Sequence, residues 1–396
     1  MEDGLIQILK KVNECCGCAA CEYVCPKNAI SMEYDNEGFA YPQIDYAKCI
    51  ACRKCINTCA FQSDEITHRY KESGKKPKCY AVVHRDVDVR RSSRSGGIFT
   101  ALSDYILQDH GVIYGAIVDS ELRVIHIRAD NVGQRNMMRG SKYVQSDISQ
   151  CYPLLKRDLE MNKKVLFTGT SCQIAAIKSA LGRNYKNLYT VDIVCHGVPS
   201  PKIWKDYISY IQEKNKAKCI DVDFRNKKKY GWPAHIETLK LKKENKVKTV
   251  DSCLYSKLFY THLTLRPSCS SCPYKNVDHP GDITIGDYWG IKKAAPDFFS
   301  NSLGTSLVLI NSESGNELFE CIKGKIRFKE TDLSLSMQPP LRSSFPLPDN
   351  RDTFWSDYQR YGIEKTLLKY VGIPKNVNKG LLKQRIIFLA KRLLGR

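Results

Sequence analysis

The sequence predicts a mixed α/β protein, a large α/β domain preceded by a small α+β unit. Two observations predict it. Beyond residue 79, short apolar runs alternate with helical stretches, the pattern of strands and helices packed in layers. Before residue 60, a block of four cysteines repeats at an offset of 34, so that Cys15, Cys18, Cys21 and Cys25 recur as Cys49, Cys52, Cys55 and Cys59.

The elements follow in order. Residues 1–70 read as one unit. The stretch 70–78, YKESGKKPK, is polar and carries Gly74 and Pro77, which marks a linker. The apolar runs 112–118, 165–168 and 188–194 read as buried strands, and 98–108, 152–161, 174–181 and 203–214 as helices. Residues 220–250 read as a strand-rich insertion with a lysine-rich face. Strands recur at 283–285 and 306–310. Pro339, Pro340, Pro346 and Pro348 mark an extended exit. The large domain therefore spans 79–350, and 351–396 forms a helical, basic tail.

Composition narrows the function classes. With 396 residues, 42% hydrophobic and 26% charged, the chain is neither mainly disordered nor fibrous. No run of about 18 apolar residues is present, so no transmembrane helix is expected. The formal net charge of +20 favours acidic partners. Of 18 cysteines, nine lie within the first 59 residues. Residues 1–11 hold no apolar stretch of signal-peptide length. Clustered thiols without a leader suggest metal ligation in a reducing, cytoplasmic compartment rather than disulfides.

Both N-terminal blocks read C-x2-C-x2-C-x3-C, the spacing of bacterial ferredoxins with two cubanes. In that arrangement three cysteines wrap one cluster and the fourth reaches the other. Cys15, Cys18, Cys21 and Cys59 are thus expected on one 4Fe-4S cluster, and Cys49, Cys52, Cys55 and Cys25 on the second. Zinc sites usually carry two CxxC pairs set farther apart. Pro26 follows Cys25, but Ala60 follows Cys59, a departure that touches the helix start rather than the ligation. Cys16 is surplus and receives no ligand role.

A further set lies downstream. Cys172 follows the apolar strand VLFTGTS and precedes a helix. Cys195 follows a second strand, LYTVDIV. Both thiols are expected at strand ends, where the sites of α/β sheets collect. Cys269 and Cys272 form a CxxC pair in a loop rich in Ser and Pro. On spacing alone a cluster, a zinc ion and plain structural thiols all remain open. Cys79, Cys151, Cys219, Cys253 and Cys321 have no partners at ligand spacing and read as core or surface thiols.

Eight segments carry a resemblance. They are SSRSGGIFT (92–100), RGSKYVQSD (139–147), VLFTGTSCQIA (165–175), VDIVCHGVPSP (191–201), FRNKKKYGW (224–232), LRPSCSSCP (265–273), DITIGDYWGI (282–291) and GTSLVLIN (304–311). Taken in order, they make the chain resemble the beta-subunit family of the coenzyme F420 hydrogenases and dehydrogenases over roughly 1–315. The resemblance implies a bound FAD and a third 4Fe-4S cluster on Cys172, Cys195, Cys269 and Cys272. Three oxidised clusters would lower the net charge to roughly +14.

Candidate residues for the flavin follow from helix-terminus chemistry read with the resemblance. Ser95, Gly96 and Gly97 precede the helix at Ile98, whose free N–H groups suit a pyrophosphate. Gly140, Ser141 and Lys142 add a candidate phosphate or ribose contact. No GxGxxG or GxxxxGK[ST] fingerprint is present, so flavin binding must use another frame. His196, next to Cys195, is a candidate to move a proton or contact the flavin. Asp287 is a candidate to hydrogen-bond a ligand. Asp282 and Trp289 are lining candidates, with a turn cap and a core position as their plainer roles.

Two basic stretches, 227–229 and 240–248, read as solvated faces that also suit an acidic electron carrier such as a ferredoxin or flavodoxin. In the last helix, Leu382, Ile386, Leu389 and Leu393 line one face among six cationic residues. This pattern fits a helix lying at the inner face of the membrane, or one docked on the core. The expected function is a cytoplasmic oxidoreductase that passes electrons between an external carrier, 4Fe-4S clusters, FAD and a small organic substrate or deazaflavin. The alternative is a non-catalytic electron-transfer subunit serving a partner enzyme. Nucleic-acid binding lacks a recognisable motif.

Overall fold

The computed structural model describes residues 14–61, 66, 76–298 and 303–372. The amphipathic segment 379–396 and most of the 70–78 linker lie outside the described residues. Among the described residues no helix is long and apolar enough to cross a membrane.

The N-terminal unit is built around its cysteine blocks. Strands β1 (Ile30–Tyr34) and β2 (Ala40–Ile44) pair antiparallel, with Ile30 opposite Ile44. Two one-turn helices, Ala20–Tyr23 and Lys54–Thr58, each start immediately after a residue in the left-handed region, Ala19 and Arg53. Each turn folds the cysteine loop back over itself. Ile30 and Cys55 pack with Cys21, Cys25, Ile44 and Ile56 in a miniature core.

The large domain is organised by one mixed sheet. Its strands are β3 (Lys78–His84), β4 (Val112–Val118), β5 (Val124–Ala129), β6 (Val165–Thr170), β7 (Leu188–Ile193) and, after an insertion, three more. The insertion holds β8 (Lys218–Asp223), β9 (Glu237–Lys243) and β10 (Lys246–Ser252). The remaining sheet strands are β11 (Ile283–Asp287), β12 (Ser306–Ile310) and β13 (Ile326–Glu330). The order is β13-β3-β12-β11-β7-β6-β4-β5. The central four, β11, β7, β6 and β4, run parallel, and the flanking pairs are antiparallel. The insertion is a separate antiparallel sheet of order β10-β9-β8.

The predicted strands and helices recur with small shifts. The helix expected at 98–108 is Ile98–Gln108, and that expected at 174–181 is Ser171–Leu181, closed at its start by a reciprocal Thr170–Gln173 capping box. Three sheet strands, β3, β5 and β13, were not among those expected. β13 and β5 are edge strands that alternate or expose side chains and so lack a continuous apolar run.

Because β6, β7 and β11 are parallel, their C-terminal ends share one edge of the sheet. Thr170, Ile193 and Asp287 therefore open on the same side. The helix Arg351–Tyr370 packs against the large domain. Phe354, Trp355 and Tyr358 are buried in one core with Trp204, Tyr207 and Tyr255. Its backbone breaks at Gly362, which has φ of 74°.

Candidate metal centres and cofactor site

The sheet edge carries thiols. Cys172 lies in the first turn of helix Ser171–Leu181, with Thr170 Oγ1 3.2 Å from its sulfur. Cys195 comes just after the end of β7. Cys269 sits in the short 3-10 turn Pro267–Ser271 and accepts from the Val198 N–H at 3.5 Å, and Cys272 ends that turn. The four act on one another electrostatically. Burial and then Cys172, Cys269 and Cys195 push Cys272 up, and burial followed by Cys195 pushes Cys269 up to about 12. Such a set is costly as thiolates on their own, so ionising all four together requires a bound cationic metal centre to offset burial and their mutual repulsion.

The N-terminal thiols fall into two sets in the crossed pattern. Burial, Cys18, Cys15 and Cys59 push Cys21 up, which brings the last cysteine of the second block to the first three of the first. The reverse crossing places Cys25 with Cys49, Cys52 and Cys55 around one shallow recess. Gly17 adopts φ of +66°, and its N–H donates to Cys15 Sγ at 3.3 Å. Ala29 N–H does the same for Cys25 Sγ at 3.3 Å. These amides are the donors that a cluster's sulfurs accept. No three His, Cys, Asp or Glu side chains meet at the spacing of a single ion among the described residues. In a cubane each thiolate binds a different iron, so its ligands stand farther apart. The donor chemistry of all three sets fits 4Fe-4S clusters.

The sets stand in a row. Cys52 is exposed and Ile50 beside it is 55% exposed, so the Cys25–Cys49–Cys52–Cys55 set lies at the surface. The Cys15–Cys18–Cys21–Cys59 set lies inward, against the large domain. Cys18, Cys172 and Cys272 pack into one apolar cluster with Ala20, Ala60, Tyr152 and Tyr274. Tyr152 Oη donates to the Cys18 carbonyl at 2.8 Å and its ring stacks on Tyr23 at 4.9 Å. Cys16, which sequence spacing left without a role, lies close enough to Cys18 and Cys172 to interact electrostatically with both. No signal in the sequence marks it, because the contact crosses from one unit to the other.

Beyond Cys195 the row meets aromatic rings. His196 Nε2 lies 2.7 Å from His262 Nε2, and its ring is 4.2 Å from Phe345 and 5.3 Å from Tyr260. Tyr260 reaches His235 at 5.1 Å, and His235 reaches Trp289 at 6.2 Å. Trp289 stacks on Trp232 at 4.8 Å and is 44% exposed, so it forms a wall rather than core. Burial, followed by His262 and Lys275, pushes His196 down to about 3, which keeps it neutral. A small recess beside Tyr260 and His235 is lined in part by Glu237, whose Oε2 is buried without a partner.

Cations surround the far end of this wall. Asp287 accepts from Arg225 Nη1 at 2.8 Å and from Trp232 Nε1 at 2.6 Å. Burial pushes its carboxyl up, but Arg225 and Arg94 outweigh it and hold it below the usual range. Asp287 is thus an anchor for Arg225 rather than a free base. Arg94 Nη2 donates to the Trp232 carbonyl at 2.8 Å, while its Nε is buried without a partner. Lys227 is 5% exposed, with Nζ donating to the Ser95 carbonyl at 3.0 Å and the Leu303 carbonyl at 2.8 Å. The solvated-face reading of 227–229 is therefore corrected for Lys227, which the fold draws inward through these carbonyls. The 240–248 stretch is mostly exposed, as expected.

The predicted phosphate segments come together, with different roles from those expected. Ser95 Oγ donates to the Thr305 carbonyl at 2.7 Å, and Gly96 N–H donates to Ser306 Oγ at 2.9 Å. A Cβ on Gly96 would stand 2.2 Å from the Val82 carbonyl, so this glycine serves close packing on the sheet. Gly97 takes φ of 96° and starts the Ile98–Gln108 helix with no side-chain cap. Arg139 crosses that helix start, donating to Thr100 Oγ1 at 3.1 Å and Ser92 Oγ at 3.0 Å. It joins the segment to Gly140, which has φ of 85°, and to exposed Ser141. Lys142 spends its ammonium on the carbonyls of Met137 and Arg139 at 2.9 and 3.2 Å. Asp282 lies elsewhere, at the opposite end of β11, accepting from Thr190 N–H at 2.8 Å. The buried cations, the orphan Arg94 Nε and Thr305 Oγ1, and the flat rings fit a phosphate-bearing aromatic cofactor such as FAD.

Two stretches of the chain match known families. Residues 162–334 match the family described as the C terminus of the coenzyme F420 hydrogenase/dehydrogenase beta subunit. Residues 14–63 match the 4Fe-4S dicluster domain. Among solved structures, a chain of the F420-reducing NiFe hydrogenase complex from Methanosarcina barkeri, studied by xenon derivatization, is similar at 20% identity and a TM-score of 0.42, covering 75% of this chain and 91% of that one. No curated protein matches the sequence.

Proposed function

We propose that this chain, which matches the coenzyme F420 hydrogenase/dehydrogenase beta-subunit family over residues 162–334 and a 4Fe-4S dicluster domain over residues 14–63, is a flavin-dependent iron–sulfur oxidoreductase that draws single electrons from an acidic carrier and acts on a small organic substrate. The observation that carries the reading is the row of three four-thiol sets ending on a wall of aromatic rings backed by buried cations. When bound, 4Fe-4S clusters supply one-electron steps and FAD links them to two-electron chemistry.

The chain's own residues supply placement and electrostatics. Lys27, Arg53 and Lys54 rim the exposed Cys52 and suit the acidic face of a carrier. Arg94, whose Nε is buried without a partner, offers positive charge to a phosphate, while beside it Arg225 is held by Asp287 and Lys227 by backbone carbonyls. The rings of Tyr260, His235 and Trp289 orient a flat ligand. Neutral His196 hydrogen-bonds without adding charge near Cys195.

The test is iron, acid-labile sulfide, zinc and flavin content of anaerobically purified protein. The expected result is roughly twelve irons with matching sulfide and one FAD. Roughly eight irons, zinc in the remaining set and no flavin overturns it. Turnover of a small molecule by the isolated chain then separates an enzyme from an electron-transfer subunit that serves a partner.

A further inference from the structure

Arg266 lies three residues before Cys269, and its side chain is fully buried at 0% exposure. Its guanidinium reaches out of the large domain into the N-terminal unit. Nε donates to the Cys15 carbonyl at 2.6 Å, Nη2 to the Ala40 carbonyl at 2.7 Å, and Nη1 to Gln145 Oε1 at 3.1 Å. Nη2 also points at Cys15 Sγ, 3.6 Å away. The plane lies over the rings of Tyr41 and Phe39, 4.4 and 5.2 Å from their centroids. A Cβ on Gly17 would stand 2.6 Å from Nη1, so the cysteine loop closes directly on the cation.

Among the described residues, no carboxylate pairs with Arg266. Carbonyls, an amide and rings satisfy its geometry but leave its full charge buried, which is costly without an anion. The thiol of Cys15 is the group in contact that becomes anionic on ligating metal. A four-thiolate cubane adds a net negative charge at that point, and one more on reduction. We propose that Arg266 is the buried counter-cation of the inner cluster on Cys15, Cys18, Cys21 and Cys59, raising its potential relative to the surface cluster and locking it against the large domain. Arg266 is a positioning residue, since it acts through the cluster's ligand. The inference rests on the cluster reading above.

The test is an anaerobic redox titration of full-length holoprotein followed by electron paramagnetic resonance, for wild type, R266M, R266Q and R266K. The surface cluster is identified by the signal that changes in Cys52→Ser. The expected result is a midpoint for the inner cluster shifted to lower potential in R266M and R266Q and close to wild type in R266K, with the surface cluster unmoved. Equal midpoints in all variants, or equal shifts of both clusters, overturn the inference. If R266M loses its inner irons, R266Q and R266K carry the comparison, and no difference between them overturns it. Wild-type protein lacking about eight irons in its N-terminal unit overturns the cluster reading itself.

Discussion

Cys16 and Cys172 interact electrostatically across the seam between the N-terminal unit and the large domain, and Cys16 interacts in the same way with Cys18 on its own side. It is the thiol through which two proposed cluster ligands touch. Cys16→Ala should therefore retain the full iron content while slowing electron passage from the inner to the third cluster. Rapid freeze-quench reduction, reading the third cluster's signal against time, checks this. Loss of about four irons would instead make Cys16 a ligand.

Cys172→Ser removes a thiol from the third set alone. About four irons should be lost, with both N-terminal clusters spectroscopically intact. Loss of all iron would mean that the N-terminal clusters need the third for assembly.

Arg351, at the start of the last described helix, binds both carboxylate oxygens of Glu37, with Nη1 2.7 Å from Oε1 and Nη2 on Oε2. Their side chains are 9% and 20% exposed, so the pair is largely shielded. Removing one partner leaves the other buried and unpaired. Arg351→Ala should cost about 3 kcal/mol and loosen the N-terminal unit from the large domain. Thermal unfolding of holoprotein measures it, and Glu37→Gln should cost less because the amide still accepts a hydrogen bond.

Glu237 is 1% exposed and lines the recess beside Tyr260. Burial pushes its carboxyl up to about 7, against the hydrogen bonds from its own and the Tyr255 amide and from Tyr207. A folded-state value raised above the unfolded one means that the folded protein binds the extra proton between about pH 4.5 and 7. Stability should therefore fall as pH rises through that window and level off above it. Glu237→Gln, whose amide oxygen still accepts from Tyr207 and Tyr255, should abolish the slope and stabilise the protein above pH 8, by on the order of 3 kcal/mol. Unfolding midpoints at pH 5 and pH 8.5 check the sign.

Gly96→Ala forces a methyl group to within 2.2 Å of the Val82 carbonyl and 2.7 Å of the Ser306 nitrogen. The backbone between β3 and β12 must open, so a loss of about 2 kcal/mol or more in stability is expected in apo protein as well as holo. A loss confined to flavin affinity would return Gly96 to the phosphate-binding role expected from sequence.

The sequence by itself determined the local chemistry. The two C-x2-C-x2-C-x3-C blocks carry a ligand expectation in their short spacing, so the crossed set of Cys59 with Cys15, Cys18 and Cys21 is a proposal that sequence alone can make. Alternating apolar runs placed β4, β6, β7, β11 and β12 and the helices between them, because burial on both faces leaves a continuous hydrophobic signal. What only the tertiary structure decided are the contacts that close over long separations. Cys16 meets Cys172 from the other side of the seam, and Arg266 reaches Cys15 over a sequence separation of 251. Lys227 looks solvated within a run of three lysines, yet the carbonyls of Arg90, Ser95 and Leu303, from two distant segments, draw it inside. Periodicity and spacing report only on neighbours along the chain. A buried charge's partner depends on which loops the sheet edge brings together, and that is settled by the parallel order of β6, β7 and β11.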